Sequence, residues 1–497
     1  MQHFNSPEAA VRWLQAQVRG TLRADSRQIG PGDGFIAWPG AATDGRRFVA
    51  AALAAGAGAC LIEEDGAQAY GFTDPRIATY SGLKADTGPI AAAYFDVPSA
   101  RLQVTAITGT NGKTSTAWWL AQAQSRLGRR CAVVGTLGIG EPGAMVENGL
   151  TTPDPVLLQQ QLRRLAGEGF AACAIEASSV GLQERRLAAM HIDVGVFTNF
   201  TQDHLDYHAS MQDYWQAKTM LFGWPGLKAA VINIDDAKGL ELSAALAGTS
   251  LDLWTVSCEL PARLQARAIV HGAHDLRFDV VEGAQSHSLT VSLVGKYNVS
   301  NLLGVIAALR ASGVPLAEAV GACAGLLPVP GRTEMIAITG KPLVVIDYAH
   351  TPDALEKVLL ALRPVAQARG GQLRCVFGCG GDRDASKRPL MAAMAEQHAD
   401  ALVLTSDNPR REDPLAILAQ MQPGLRRPGA AQIQPDRAAA IAQALRQSQP
   451  QDVVLLAGKG HENYQDIHGV KHSFSDRAQA QAVLDQWATS TLAGVGA

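Results

Sequence analysis

The stretch VTAITGTNGKTSTAWWL, residues 104–120, limits the fold more than any other. Val104, Ala106 and Ile107 belong to an apolar run of the kind that a buried parallel strand requires. The chain then turns through Gly109 and Gly112, which tolerate positive φ and let the backbone approach a ligand closely. A helix is expected over 115–127, with Gly128 as its stop. This order of elements points the first N–H groups of the helix at a space where a phosphate can accept from them. Lys113 adds a point charge for the outer phosphates, and the hydroxyl of Thr114 or Ser115 is placed to ligate Mg²⁺. Gly112-Lys113-Thr114 is the ending of a phosphate-binding loop. The usual loop has a glycine five residues before Gly112, where this chain has Ile107. The bland alternative is a turn capped by Asn111 with a lysine in solvent.

A chain of 497 residues exceeds what one core serves, so two to four domains are expected. With 47% hydrophobic residues and 49 glycines, those domains should be turn-rich α/β units. A net charge of −3 and the lack of a long basic run exclude a protein built mainly to bind a nucleic-acid backbone. No apolar stretch reaches the roughly 18 residues of a membrane span. MQHFNSPEAAVRWLQ reads as a capped helix and not as a signal peptide, so a cytoplasmic location with no membrane or nucleic-acid partner is expected. The seven cysteines are scattered, many in apolar runs, and read as core thiols. Cys375 and Cys379 are four apart and fit neither a redox nor a zinc motif.

Pro98 in FDVPSARLQV and the stretch LLPVPGR (326–332) mark linkers, giving domains over 1–99, 100–331 and 332–497. Candidate strands of the central domain are 104–108, 131–135, 172–176, 193–197 and 229–233. The segment 250–295 is richer in β pattern, and YNVSNLLGVIAALRASG reads as a helix closed by Gly313. The last domain offers PLVVID, LRCVFG, ALVLTS and DVVLLAG as strands. Polar clusters follow these apolar runs: GTNGKT, EASS, TNFTQDH, DYAHTPD, GCGGDRD, SDNPR and GKGHE. Ligands of open parallel sheets bind outside the carboxyl ends of the strands, so seven such clusters imply a site assembled between two domains.

Glu176 ends a strand where a carboxylate can meet a Mg²⁺ near Thr114. His204 and His208 are four apart, which suits one face of a helix. Leu205 stands where a zincin needs glutamate, so zinc hydrolysis is discounted. Read singly, His204 is a loop histidine and Lys218 an ordinary lysine of an amphipathic helix.

Together, GTNGKT, EASS, DHLDYH, DYWQAKTMLF, PGRTE, DYAHTPD, GCGGDRD and GKGHENYQ resemble the Mur ligase family of cytoplasmic cell-wall enzymes, over about residues 24–470. That family's loop is the short form T-G-T-N-G-K-T, which accounts for Ile107. The resemblance implies an N-terminal α/β uridine-binding domain, a central P-loop-type ATPase domain and a C-terminal Rossmann-like domain. It implies that Gly109, Thr110, Asn111, Gly112, Lys113, Thr114 and Ser115 hold ATP, with Asn298 near the adenine and Arg332 and Asp347 closing from the third domain. Thr114 and Glu176 would serve one Mg²⁺. His204 and Lys218, the latter as an N6-carboxylysine carbamate that turns a cation into an anion, would serve a second.

Ser26, Thr151, Thr152, Ser178, Glu184 and Arg186 match the binding set for UDP-MurNAc-L-Ala-D-Glu. Val180 and Glu184 depart from the histidine and glutamine of many relatives. Arg383, Asp407, Asn408, Pro409, Arg410, Gly458 and Glu462 match a pocket for meso-diaminopimelate. Within the family, D-N-P-R goes with diaminopimelate, whose far carboxylate suits a bidentate arginine, whereas ligases that add L-lysine have another residue in place of the arginine. The implied reaction phosphorylates the D-glutamate side-chain carboxylate with ATP and joins the resulting acyl phosphate to the incoming amine, in a monomer. Folylpolyglutamate synthetases share the last two domains but usually begin near the phosphate loop, whereas here about a hundred residues precede it, with DSR and DGRRF. A nucleotide-gated binding or motor protein would not need the DNPR and GKGHE loops.

Overall fold

Each apolar run named above as a candidate strand is one, and these strands lie in two of three large sheets; a fourth sheet has only two strands, Tyr464–Ile467 and Val470–Ser473. The computed structural model describes residues 1–487 except 41–42 and 273–274. The first sheet has five strands, all parallel, in the order Gln2–Phe4, Ile77–Tyr80, Ala59–Glu63, Gly34–Ala37, Leu22–Arg23. Ser6 caps the first helix, Pro7–Gln17, with its hydroxyl, and Pro7 stands at the helix's first position, where its missing N–H costs nothing.

The central sheet has eleven strands. Six of them form a parallel block ordered Asp252–Ser257, Ala229–Asn233, Val194–Phe197, Gln103–Thr108, Ala172–Glu176, Cys131–Gly135. The β-rich segment joins it as Leu264–His271, Leu276–Glu282 and Gln285–Val291, the last two antiparallel to their neighbours. Helix Lys296–Ala311 crosses the back of this sheet and ends in a Schellman motif: Gly313 takes φ 87°, and the Val314 N–H reaches the Leu309 carbonyl at 3.1 Å. The third sheet runs Glu334–Ile336, Leu343–Asp347, Val453–Ala457, Leu373–Phe377, Ala401–Leu404, Ala431–Ile433, parallel except at its first strand.

Helix Pro155–Gly167 belongs to the central unit by sequence, yet Val156 joins the core of the first. Gln160 also donates to the Thr21 hydroxyl at 3.0 Å, so this helix carries the first domain. No cysteine is paired, and six of the seven are buried. Among the described residues no helix is long and apolar enough to cross a membrane.

Candidate active site

The helix after the glycine turn starts at Lys113, two residues before the expected 115, and runs to Arg126. Gly112 is its cap, at φ 85°, and Asn111 caps nothing. A Cβ at Gly112 would lie 2.4 Å from the Asn301 side-chain oxygen, so this turn needs glycine for space as well as for φ. The loop is fixed from the next strand end: Thr110 N–H donates to the Asn199 carbonyl (2.8 Å) and Asn111 N–H to the Asn199 side chain (2.9 Å). The Lys113 ammonium folds onto the carbonyls of Gly109 and Thr110, both at 3.0 Å. Burial lowers its pKa against the pull of Glu176 and Asp203.

Three sequence-distant groups meet at the Thr114 hydroxyl. It donates to Glu176 Oε2 at 3.0 Å and accepts from Arg332 Nη2 at 3.1 Å. Glu176 is buried and also takes the Thr136 N–H at 2.8 Å on its other oxygen. Arg332 lies over the Tyr348 ring, 4.5 Å from its centroid. Asp347, at the end of its strand, accepts the N–H groups of Thr333 (2.7 Å) and Ala349 (2.8 Å), and burial raises its pKa. A cleft of about 500 Å³ opens beside this junction, lined from the central domain by Asn111, Gly112, Ser115 and Asn298 and from the third by Arg332 and Asp347. Asn298 is buried and anchored on the Val294 carbonyl at 2.8 Å.

The segment 203–209 is a turn and not the helix suggested by the histidine spacing. His204 has φ 56°, which interrupts a helix, and the next helix begins only after its own cap, Ser210. The i, i+4 geometry survives as one turn, with His208 N–H on the His204 carbonyl at 2.9 Å. Both rings pack on Tyr214, at centroid distances of 5.9 and 5.1 Å. Lys218 is 1% exposed, 4.2 Å above the Tyr214 ring, and donates to the Gly109 carbonyl at 2.8 Å. Burial, reinforced by Lys113, drives its pKa well down, toward a neutral amine. Burial also pushes His204 down to about 4. Burial opposes the charge on Asp203, but His204, His350 and Lys387 outweigh it and hold the carboxylate below its usual range.

In the first domain, Asp25 caps the short turn that starts at Ser26. Ser26 lines a groove of about 790 Å³ with Phe35, Trp38, Thr43 and Asp154. Asp154, two residues beyond Thr152, caps helix Pro155–Gly167. The Thr151 hydroxyl meets that of Thr136 at 3.0 Å, and that of Thr152 meets Ser178 at 3.0 Å. Ser178 caps the next helix, and Arg186 donates to the Thr152 carbonyl at 2.9 Å. Glu184 pairs with Lys84 of the first domain at 2.7 Å and accepts from the Tyr207 hydroxyl. Burial pushes its pKa up, but those two partners outweigh it and keep it low.

The third domain gathers the remaining loops. Asn408 is buried, donates to Glu462 (2.8 Å) and accepts from Lys459 (3.0 Å); Lys459, fully buried, also donates to Glu462 at 2.9 Å. Gly458 has φ 110°, and a Cβ there would lie 2.4 Å from Asp407 Oδ2. Arg410 donates to the Gly381 carbonyl at 2.7 Å, and Gly380 separates it from Arg383. A Cβ at Gly381 would strike the Pro409 carbonyl at 1.9 Å, which is why that loop reads G-C-G-G. Arg383 is half exposed and lies 3.7 Å from Asp206 of the central domain. A fully buried pair, Arg437 and Asp476 at 2.6 Å, ties the strand ends together, because Arg437 also donates to the carbonyls of Ser406 (3.1 Å) and Ala457 (2.9 Å). Sequence reasoning missed Arg437, Asp476, Lys459, Lys84 and Tyr214. Lys459, inside GKGHE, and Tyr214, inside DYWQAKTMLF, carried a local signal; the other three did not.

Contacts across the cleft hold the domains together: Asn111 donates to Asp353 at 3.1 Å, and His350 lies 3.8 Å from Asp203. Among the described residues no group of three or more His, Cys, Asp or Glu side chains forms a ready metal cage. The oxygen pair of Thr114 and Glu176 instead suits Mg²⁺, which is commonly held by one or two protein oxygens plus substrate phosphates.

Family models match in three places: the "Mur ligase family, catalytic domain" at 21–93, the "Mur ligase middle domain" at 107–309 and the "Mur ligase, glutamate ligase domain" at 331–460. The chain is 57% identical to a UDP-N-acetylmuramoyl-L-alanyl-D-glutamate–2,6-diaminopimelate ligase of Acidovorax sp. (strain JS42), over 96% of this chain and 97% of the relative. It is 47% identical to the protein of the same name from Janthinobacterium sp. (strain Marseille), over 95% and 96%. A solved ligase of that name superposes with TM-score 0.65 at 36% identity over 94% of each chain. Folylpolyglutamate synthase of Mycobacterium tuberculosis, at 18% identity and TM-score 0.62, shares the fold over 75% of this chain. The three matched domains, the strand-end clusters that they enclose and these identities make the chain a member of the Mur ligase family.

Proposed function

We propose that this chain joins an amine of meso-2,6-diaminopimelate to the side-chain carboxylate of D-glutamate in UDP-N-acetylmuramoyl-L-alanyl-D-glutamate, using ATP, as a cytoplasmic monomer making peptidoglycan precursors. One observation carries the reading: the phosphate-loop hydroxyl of Thr114 lies between a buried carboxylate, Glu176, and an arginine of another domain, Arg332. A nucleotide bound there is gripped from both sides only when the domains meet. The 57% identical relative of the same printed name supports the substrate assignment.

In this reading the first domain takes the uridine end, Ser26 at its groove, and Thr151, Thr152, Ser178, Glu184 and Arg186 take the dipeptide. Glycines 109 and 112 let the loop surround the phosphates, and Lys113 leaves its loop carbonyls for them. Thr114 and Glu176 would hold one Mg²⁺; His204 and Lys218, the latter as a carbamate formed from its neutral amine and CO₂ with release of a proton, would serve the second. Bound there, Mg²⁺ supplies neutralisation of the charge that builds on the transferred phosphoryl group. The glutamate carboxylate attacks the terminal phosphorus and ADP leaves. The diaminopimelate amine then attacks the acyl carbon, loses a proton, and phosphate leaves. Arg410 and Arg383 face the far carboxylate of diaminopimelate, with Asp407, Asn408, Gly458 and Glu462 around its amino-acid end. An acyl phosphate hydrolyses in water, so the contacts of Asn111 with Asp353 and of Asp203 with His350 matter as closures that exclude it.

The test is phosphate release that depends on both UDP-MurNAc-L-Ala-D-Glu and diaminopimelate. Release with the nucleotide peptide alone would sink the ligase reading. Equal turnover with L-lysine would sink the amino-acid assignment and leave the ligase.

A further inference from the structure

The tetrapeptide Asp407–Arg410 is not held by its own domain core alone. A two-stranded hairpin, Tyr464–Ile467 paired with Val470–Ser473, lies against it. Gln465 Nε2 donates to the Asp407 carbonyl at 2.7 Å, and Asp466 N–H donates to the Asn408 side chain at 2.9 Å. Arg410 N–H donates to the Asp466 carbonyl at 3.0 Å, and its own carbonyl accepts from His468 N–H at 2.7 Å. Arg410 and Ile467 thus form an isolated parallel bridge on the edge of the hairpin. Of the four residues, only Pro409 has no bond to the hairpin among these contacts. The grip matters because Arg410 has φ 51°, a left-handed conformation that a non-glycine residue holds only where its surroundings impose it.

The hairpin has little else to stabilise it. Val470–Ser473 is exposed along its whole length, and an isolated two-stranded hairpin is marginal in water. Its turn, His468-Gly469, has positive φ at both residues (52° and 80°), the primed form that matches strand twist. Both main-chain groups of Arg410 thus bond to the hairpin, so the arginine's backbone and a marginal element support each other, which couples the hairpin to the pocket.

We infer that the 464–473 hairpin is the device that aims Arg410, with Gln465 as a positioning residue, so that discrimination for an amino acid with a second carboxylate depends on Gln465 although it does not reach the substrate. This rests on the reading of the pocket as the diaminopimelate site. Three variants of the full-length protein test it. Gln465→Ala removes the donor; Gln465→Glu keeps the shape and removes the donor; Gly469→Val strains the turn without touching Asp407–Arg410. Each should raise KM for diaminopimelate by about fivefold or more, the equivalent of one lost hydrogen bond. Each should lower the ratio of kcat/KM for diaminopimelate over L-lysine, with KM for ATP and for the UDP-dipeptide within about twofold of the parent. A parallel rise in all three KM values would make the hairpin a structural prop and overturn the inference, as would an unchanged KM for diaminopimelate. If the unmodified protein does not prefer diaminopimelate, the pocket reading falls and takes the hairpin's selectivity role with it. If it does prefer diaminopimelate and Gln465→Ala behaves like the parent, only the hairpin's role falls.

Discussion

Gly135→Ala should cripple turnover while leaving the fold nearly intact. Gly135 ends the strand beside Ala172–Glu176, and its φ is not in the left-handed region, so alanine meets no backbone penalty there. An added Cβ, however, would lie 2.2 Å from Glu176 Oε1 and 2.8 Å from its Cδ. The carboxylate has to move, and moving it stretches the bonds from Thr136 N–H (2.8 Å) and Thr114 Oγ1 (3.0 Å). A hydrogen bond to a charged group is worth about 1.5–3 kcal/mol. Losing one where charge develops slows the reaction by about 10- to 150-fold. Removing a glycine from the unfolded chain returns roughly 0.4–1 kcal/mol of stability, so the thermal midpoint should fall by only a few degrees. The assay is phosphate release at saturating ATP, UDP-dipeptide and diaminopimelate, with a Mg²⁺ titration in which half-activation should shift to higher concentration. Gly167→Ala, at a helix end with nothing within 4 Å of the added carbon, is the control. A Gly135→Ala protein with kcat within about threefold of the parent would refute the reasoning, because a threefold change in rate corresponds to about 0.65 kcal/mol, well under one such bond.

Lys113→Ala should abolish ATP-dependent phosphate release while the far-UV spectrum is unchanged, since the lysine's partners are carbonyls of its own loop. Lys218 should carry a carbamate at neutral pH in bicarbonate, visible as added mass or density, and Lys218→Ala should lose most turnover; a plain amine at full occupancy would count against it. Arg410→Ala should weaken use of diaminopimelate by well over tenfold, a lost charge-assisted pair costing roughly 2–5 kcal/mol, with KM for ATP little changed. His461 is lowered to about 4 by burial, then by Arg332 and Lys459. Between that value and its ordinary 6.5 the unfolded chain binds the extra proton, so the stability tied to His461 is complete above about pH 6.5 and is lost as pH falls toward 4. His461→Gln should flatten that slope in thermal unfolding.

What could be read from the sequence was whatever is local along the chain. Parallel strands buried on both faces are uninterrupted apolar runs, so the strand ends near which Thr114, Glu176 and Asp407 lie were legible from the pattern, whereas the roles expected of Thr114 and Asp407 came from the Gly-Lys-Thr ending and from the family resemblance. The histidine pair shows the limit: spacing predicted a shared face correctly, yet His204 at φ 56° makes that face from a turn. What stayed hidden are pairings between residues far apart in the chain that read singly as solvated. Examples are Lys84 with Glu184, Asn111 with Asp353, Asp203 with His350, and Arg437 with Asp476. These fall into two kinds with different consequences. Arg437 and Asp476 are wholly buried, and either one left alone would be an uncompensated charge, so that pair is a permanent strut under the amino-acid loops. The contacts across the cleft are polar and partly exposed, and hydrogen bonds and pairs of that kind contribute about 1 kcal/mol or less each. Such contacts can orient two domains but cannot lock them. A cleft that is to admit a nucleotide and later exclude water, as proposed, needs that weakness; a nucleotide gripped by Lys113 on one side and Arg332 on the other would provide the attraction that the protein's own surfaces lack.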